Sequence, residues 1–274
     1  MNDYYVDYGQ NVKVLFQDVL TNSGIDNAIR ANMEIFPPEE KLIFAPPFIK
    51  KGEIVYDVGS YVGTHSFLFA LYGTHVYSFE PSPFNYPRLV KNVTWFNTHF
   101  RSDIKCFDIA FHEKEYDVTT QFKDCNNTLP DNNDAVQFIK YWVLDKFMTD
   151  NNLPVPDFIK IDVEGMETIV FKTLHNILSN NKTIVYVERH RKPASTPDLQ
   201  HYPDNPNWRF PSEGGYEFND LKKYDVDVYN FGHKCIMNKL GTNSDWNDLD
   251  EALVIFPRSK ADRVKESGVK TVIS

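Results

Sequence analysis

Short apolar runs alternate with helically spaced apolar residues along most of the chain after residue 52. The runs IVYDV and FIKIDV show almost no polar alternation, which is typical of strands buried on both faces of a parallel sheet. Strands that alternate with helices pair in parallel through right-handed crossovers, so the pattern predicts an α/β fold with a doubly wound, mostly parallel sheet. The predicted strands are 54–58, 75–79, 104–109, 157–163 and 184–187, and the predicted helices are 64–72, 86–96 and 166–178.

The two ends of the chain depart from this rhythm. In residues 1–50 several apolar residues fall on one helical face, so we predict a helical leader that packs on the remaining domain, 51–274. The residues on that face are Val12, Leu15, Phe16, Val19 and Leu20. Prolines and aromatic residues fill 193–215, an insertion of the kind that is functional or mobile. Further strand-like runs occur at 136–143, 226–231, 235–240 and 252–256.

Composition narrows the class of protein. The chain has 274 residues, enough for one large α/β domain or two small ones. Its net charge of −9 argues against non-specific binding of nucleic acid. Cys106, Cys125 and Cys235 show no paired spacing, so we expect a reducing compartment, the cytoplasm. The chain has no run of about 18 apolar residues and does not start like a signal peptide, so we expect no membrane partner.

An acidic residue lies at or next to the end of each predicted strand of the sheet. They are Asp57, Glu80, Asp108, Asp162 and Glu188, in strand order. In a doubly wound sheet ligands bind beyond the carboxyl ends of the strands, near the switch in strand order. The repeated acidic ends therefore predict a polar crevice along one edge of the sheet.

The segment after the first strand is a candidate nucleotide loop. Gly59 and Gly63 bracket a tight turn, and Thr64 begins a helix whose first N–H groups are unpaired. Glu80 is placed to accept hydrogen bonds from the two hydroxyls of a ribose. A dinucleotide pyrophosphate requires G-x-G-x-x-G, which this loop lacks. A zwitterionic amino-acid tail fits better, with Asp57 toward its ammonium and the loop amides toward its carboxylate.

Several blocks, in order, resemble one family, the FkbM-type class I S-adenosylmethionine-dependent methyltransferases. Residues 160–167, KIDVEGME, are the most specific block, since the family pattern is K-I-D-V-E-G-x-E. The other blocks are 57–65 (DVGSYVGTH, pattern D-[IV]-G-A-N-x-G), 79–83 (FEPSP), Asn92, Asn97, 144–145 (LD) and 187–190 (VERH). The resemblance covers about residues 45–192 and departs at Ser60 and Tyr61, where Ala-Asn is usual.

The resemblance implies a seven-stranded Rossmann-like sheet, S-adenosyl-L-methionine as cofactor, and O-methyl transfer to a hydroxyl of a sugar or another small-molecule or glycan acceptor. The cofactor-binding residues that it and the loop analysis indicate are Asp57, Gly59, Ser60, Tyr61, Gly63, Thr64, His65, Glu80, Pro81, Asp108 and Asp162. Asp108 is the candidate adenine contact, and His65 is expected to brace the loop.

The transfer requires alignment of donor and acceptor and removal of the hydroxyl proton. We expect Asp162, Glu188 and His190 to be the catalytic residues. Glu188 and His190 are two residues apart, so they share one face of a strand, and a neutral imidazole can accept the proton. Glu164 is expected to interact with the dipole of the following helix instead.

Other functions remain open on the residues alone. Asp162, Glu188 and His190 are of types that hold Mg²⁺, but paired ligand spacing is absent, so no metal is expected. A nicotinamide-dependent oxidoreductase and a non-catalytic binding module are further alternatives. Lys160, Asp162 and Glu188 also suit an RNA ribose 2′-O-methyltransferase, against which the acidic charge argues. The sequence does not determine the acceptor or the oligomeric state.

Overall fold

The computed structural model describes residues 3–20, 24–120, 137–163, 166–188, 221, 223–231, 236–240 and 252–273. The helices are α1 (Gly24–Ala31), α2 (Pro38–Ile43), α3 (Thr64–Leu71), α4 (Asn85–Phe100), α5 (Leu144–Asp150), α6 (Glu167–Phe171), α7 (His175–Ser179) and α8 (Asp262–Glu266). The strands are β1 (Tyr4–Asp7), β2 (Lys13–Phe16), β3 (Ile54–Val58), β4 (His75–Phe79), β5 (Lys105–Phe107), β6 (Ala110–Phe111), β7 (Tyr116–Thr120), β8 (Gln137–Trp142), β9 (Phe158–Ile161), β10 (Ile184–Glu188), β11 (Val226–Phe231), β12 (Ile236–Lys239), β13 (Ala252–Pro257) and β14 (Lys270–Ile273).

The main sheet confirms the predicted doubly wound, mostly parallel architecture. Its order is β14-β12-β11-β13-β10-β9-β3-β4-β5, and the half from β10 to β5 is entirely parallel. The number of strands differs from the seven expected, because nine strands pair within the described residues. β12 and β14 extend the edge beyond β11. β14 pairs parallel with β12, and the sequence analysis did not predict this strand.

The position of the ligand crevice follows from the strand order. From β3 the chain proceeds through β4 to β5 on one side, while β9 and β10 lie on the other side. The switch in strand order therefore falls between β3 and β9, where Val58 pairs with Ile161. Their carboxyl ends, with that of β4, lie side by side, which is where open α/β sheets bind ligands.

Each face of the sheet carries its own hydrophobic cluster. Successive side chains of a strand point to opposite faces. Val55 accordingly packs with α3, α4 and the leader, whereas Tyr56 packs with α5, α6 and α7. Helical layers thus cover both faces, as a mostly parallel sheet requires.

The helix predicted from Val12 to Leu20 is wrong, because this segment contains β2, which pairs antiparallel with β1. Tyr8 and Val12 close the turn, with the Tyr8 N–H donating to the Val12 carbonyl at 2.8 Å. The Gln17 N–H donates to Asn92 Oδ1 of α4 at 2.8 Å. Of the apolar residues read as a helical face, Leu15, Phe16 and Val19 are buried, and the pairing of β2 with β1 is not something that helical periodicity reveals.

Other elements refine the predicted order. The strand predicted at 136–143 is β8, which lies in a separate three-stranded sheet of order β6-β8-β7. The helix predicted over 166–178 is two helices, α6 and α7. Asp145 Oδ2 accepts a hydrogen bond from the Asn176 N–H at 3.0 Å, so a residue of the LD block satisfies the start of α7.

Some expectations fall on residues outside the described ranges. They concern the insertion at 193–215, His190, Glu164, Cys125 and Cys235. In the part of the chain that the structure describes, no helix combines the length and apolar character needed to cross a membrane.

Candidate functional site

A cavity lies at the carboxyl ends of β3, β4 and β9, at the switch in strand order. Including its solvent-open mouth, it measures about 1150 Å³. Eight residues predicted to bind cofactor line it: Gly59, Ser60, Tyr61, Thr64, His65, Glu80, Pro81 and Asp162. Apolar side chains form much of the remaining wall, including Phe79, Ile109 and Phe111, and the leader contributes Ile25.

Gly59 brings the loop against the end of β9. Its φ is +85°, and a Cβ at this position would lie 1.7 Å from the carbonyl oxygen of Asp162. The N–H groups of Gly59 and Ser60 both donate to the Phe79 carbonyl, at 2.9 and 3.0 Å. Glycine is therefore required because β3, β4 and β9 converge here, in addition to any contact with a ligand.

Glu80 is oriented by the backbone on both sides of the cavity. The Tyr61 N–H donates to Oε2 and the Ser82 N–H donates to Oε1, each at 2.9 Å. The residue is 6% exposed and lines the cavity. A carboxylate has about four acceptor sites, and these two backbone hydrogen bonds fix one oxygen of Glu80 each.

Three of the predicted cofactor residues do not line the cavity within the described part of the chain. Asp57 is fully buried and its Oδ2 accepts a hydrogen bond from Ser66 Oγ at 2.6 Å. Gly63 is the left-handed residue before α3, with φ 99°. Asp108 is exposed and its carboxylate lies 3.3 Å from Lys140 Nζ. The structure thus places all three near the loop or the strand ends but outside the cavity wall.

Lys160 is a buried charged residue beside the cavity that the sequence analysis did not place in the cofactor or catalytic set. It is fully buried on β9, and its Nζ donates to Asp162 Oδ2 at 2.7 Å and lies 3.9 Å from Asp57 Oδ1. Burial lowers the pKa of the Lys160 ammonium, but the carboxylates of Asp162, Asp57 and Glu188 outweigh burial and raise that pKa above its ordinary value. A lysine inside the apolar run FIKI, two residues before an aspartate, was the available signal.

The predicted catalytic residues are only partly brought together. Asp162 lines the cavity, and Glu188 ends β10 close enough to Lys160 to influence its pKa. His190 lies outside the described residues. Among the described residues no cluster of three His, Cys, Asp or Glu side chains is arranged to hold a metal ion.

His65 is held by a residue of the leader. Its Nε2 lies 3.0 Å from Glu40 Oε2, and both side chains are largely buried. The rings of Phe36 and Phe44 each pack at 5.2 Å from the imidazole, edge to face. Glu40 was not predicted to take part, because it lies 25 residues from His65 on a different element.

Two asparagines of the family pattern hydrogen-bond to segments next to the cavity. Asn92 Nδ2 donates to the carbonyl of Val62 in the glycine loop at 3.1 Å. Asn97 exchanges hydrogen bonds of 3.0 Å with the N–H and carbonyl of Ile104, before β5. Both residues therefore brace the elements around the cavity.

The sheet is open, with a glycine loop at its switch point and an oriented carboxylate directly after β4. These features define a Rossmann-like domain of the class that binds nucleosides. The chain belongs to the FkbM methyltransferase family, since the family model described as "Methyltransferase FkbM domain" matches residues 57–221.

Known proteins resemble the chain at low identity. It is 27% identical over 146 residues to the hexuronic acid methyltransferase AglP of Haloferax volcanii, a match that covers 52% of this chain and 57% of that protein. Methyltransferase FkbM from Methylobacillus flagellatus superposes with a TM-score of 0.46 at 19% identity, over 80% of this chain and 48% of that one. A precorrin-6y C5,15-methyltransferase from Geobacter metallireducens gives 0.39 at 11% identity, over 87% and 89%. The chain thus spans about half the length of the first two relatives.

Proposed function

We propose that this protein is an S-adenosyl-L-methionine-dependent O-methyltransferase that acts on a hydroxyl of a sugar or another small-molecule or glycan acceptor. The observation that carries the proposal is the Glu80 carboxylate, oriented by two backbone N–H groups in a cavity at the switch point. Membership of the FkbM family supports methyl transfer, and the name of the Haloferax relative supports a sugar acceptor.

The residues present fit this cofactor. Glu80 would hold the ribose hydroxyls, and the apolar side chains of Ile109 and Phe111 would enclose the adenine. The first N–H groups of α3, which begins at Thr64, suit the methionine carboxylate because a helix N-terminus favours an anion. The bound cofactor would supply a methyl group that its sulfonium already activates.

The protein's own part in the reaction is positioning and proton removal. Asp162 would accept the hydrogen bond of the acceptor hydroxyl and take up its proton as the new carbon–oxygen bond forms and the bond between the methyl carbon and the sulfur breaks. Lys160 would hold the Asp162 carboxylate toward the cavity through their 2.7 Å hydrogen bond. Glu188 and His190 complete the proposed catalytic set. Residues 51–274 would form the catalytic domain, with 1–50 as its leader.

Calorimetric titration with S-adenosylhomocysteine tests the cofactor site. The wild-type protein should bind, and Glu80→Gln should bind about 10- to 100-fold more weakly. The amide NH₂ group that replaces one carboxylate oxygen would face a backbone N–H donor and could not accept a hydrogen bond from the ligand. Glu113→Gln is the matched control, because that side chain is 47% exposed. In parallel, S-adenosylhomocysteine but not NAD should raise the melting temperature.

Absence of binding at millimolar S-adenosylhomocysteine, or equal affinity of Glu80→Gln and wild type, would contradict the proposal. The acceptor is tested with cofactor carrying a tritiated methyl group and paired neutral and hexuronic acid glycosides. Label stable to mild alkali indicates an ether on a hydroxyl. Alkali-labile label would show a carboxyl ester instead and would overturn the hydroxyl assignment.

A further inference from the structure

Tyr61 stands where the family pattern has asparagine, and its side chain reaches the leader. Its hydroxyl donates a hydrogen bond to Asp26 Oδ2 at 2.5 Å, across 35 residues of sequence. Asp26 belongs to α1, and its neighbour Ile25 lines the cavity. The substituted position therefore joins the glycine loop to the leader helix that forms one wall of the cavity.

The carboxylate that Tyr61 meets is a charged anchor. Asp26 is completely buried, and its Oδ1 forms an ion pair with Arg88 of α4, whose side chain is 8% exposed. Arg88 also donates to Asn85 Oδ1 at 3.2 Å. A buried charge is tolerated only when it is paired and hydrogen-bonded. Asp26, Tyr61 and Arg88, here the Asp26 junction, thus fasten α1 to both the loop and α4.

The junction also reaches the ribose site. The Tyr61 N–H donates to Glu80 Oε2 at 2.9 Å, so one residue orients Glu80 through its backbone and α1 through its phenol. Tyr61 has φ 51°, a left-handed conformation that directs these two groups to different partners. Position of the leader wall and orientation of Glu80 are therefore coupled.

We propose that Tyr61 is a positioning residue that holds α1 in place as a wall of the cofactor site. The inference rests on the proposed function, because it takes the cavity as the site of S-adenosylmethionine. With the junction intact, Ile25 would shield the contact between Glu80 and the ligand from water, and hydrogen bonds are electrostatically stronger where water is excluded. Tight binding of the cofactor then requires the leader as well as the sheet.

Tyr61→Phe in the full chain tests this role, because it removes the hydroxyl and keeps the backbone N–H to Glu80. Calorimetry should show S-adenosylhomocysteine bound about 10-fold more weakly, the order expected for a hydrogen bond to a charged group. Hydrogen exchange should show faster exchange of the α1 amides, with β3 unchanged. Tyr5→Phe, on a leader side chain 56% exposed, should match wild type.

Wild-type affinity in Tyr61→Phe, or weaker binding with unchanged exchange of α1, would overturn the inference. Asp26→Asn, which leaves Arg88 without its counter-charge, should loosen α1 further, and unaltered exchange there would also contradict the coupling. Failure of the proposed function is separately visible, since wild type would then not bind S-adenosylhomocysteine at all. In that case the exchange of α1 in the free protein still decides whether Tyr61 holds the leader.

Discussion

The cavity is supported in different ways at its Glu80 end and at its Asp162 end, where the buried Lys160 pairs with Asp162. At the Glu80 end, backbone N–H groups from residues 61 and 82 orient one carboxylate. At the Lys160 end, side chains from β3 and β9 hold one another, with one ammonium among several carboxylates. Backbone groups keep their place as long as the loop keeps its shape, whereas a charge cluster depends on every member. The first end should therefore tolerate side-chain changes that the second does not.

Removal of the ammonium should give the largest effect. Lys160→Met removes the ammonium that pairs with the carboxylates of Asp57 and Asp162, and breaking a buried pair in this way typically costs about 3–5 kcal/mol. Urea unfolding should show a correspondingly lower free energy of unfolding. Lys265→Met is the control, because its side chain is 81% exposed and its ion pair contributes little. Equal midpoints for the two variants would remove the distinction between the ends.

Gly59→Ala should have the next largest effect, because Gly59 lies where the glycine loop packs against the carbonyl of Asp162. The added Cβ would meet the carbonyl of Asp162, and the positive φ adds strain. Gly52→Ala separates the two causes, since Gly52 has φ +81° with nothing within 4 Å. Strain alone should cost about 1–2 kcal/mol, and Gly59→Ala should exceed this and weaken binding of S-adenosylhomocysteine. Similar unfolding free energies for both variants would show that the close approach is relieved at no cost.

Glu40→Ala should have a smaller effect, confined to the contact between leader and α3. It removes the partner of His65, and an unpaired, largely buried polar group costs about 1–3 kcal/mol. Glu40→Gln should recover part of the loss, because an amide can still hydrogen-bond to the imidazole. Glu34→Gln, on a leader side chain 63% exposed, is the control for thermal unfolding. A stability of Glu40→Ala equal to that of the control would show that the pair does not hold the leader.

Local patterns in the sequence predicted the strands whose carboxyl ends carry the site. The runs IVYDV and FIKIDV lie at β3 and β9, and the acidic strand ends led directly to Glu80 and Asp162. Such runs are informative because a strand buried on both faces admits almost only apolar residues, so a polar residue at its end stands out. The glycine loop was recognisable for a related reason, since its backbone conformation restricts the residue type.

What the sequence by itself determined is therefore the strands of the parallel half of the sheet and the loop residues, because the residue types of a doubly buried strand and of a tight turn are set within a few positions. The tertiary structure alone decided that Val12–Leu20 contains a strand, that Asp57 faces Lys160 and that Tyr61 meets Asp26. Each of these depends on contacts between segments far apart in the chain. Hydrogen bonds and ion pairs across such distances leave no periodicity in the sequence, because the partners of a polar side chain are set by packing and not by spacing.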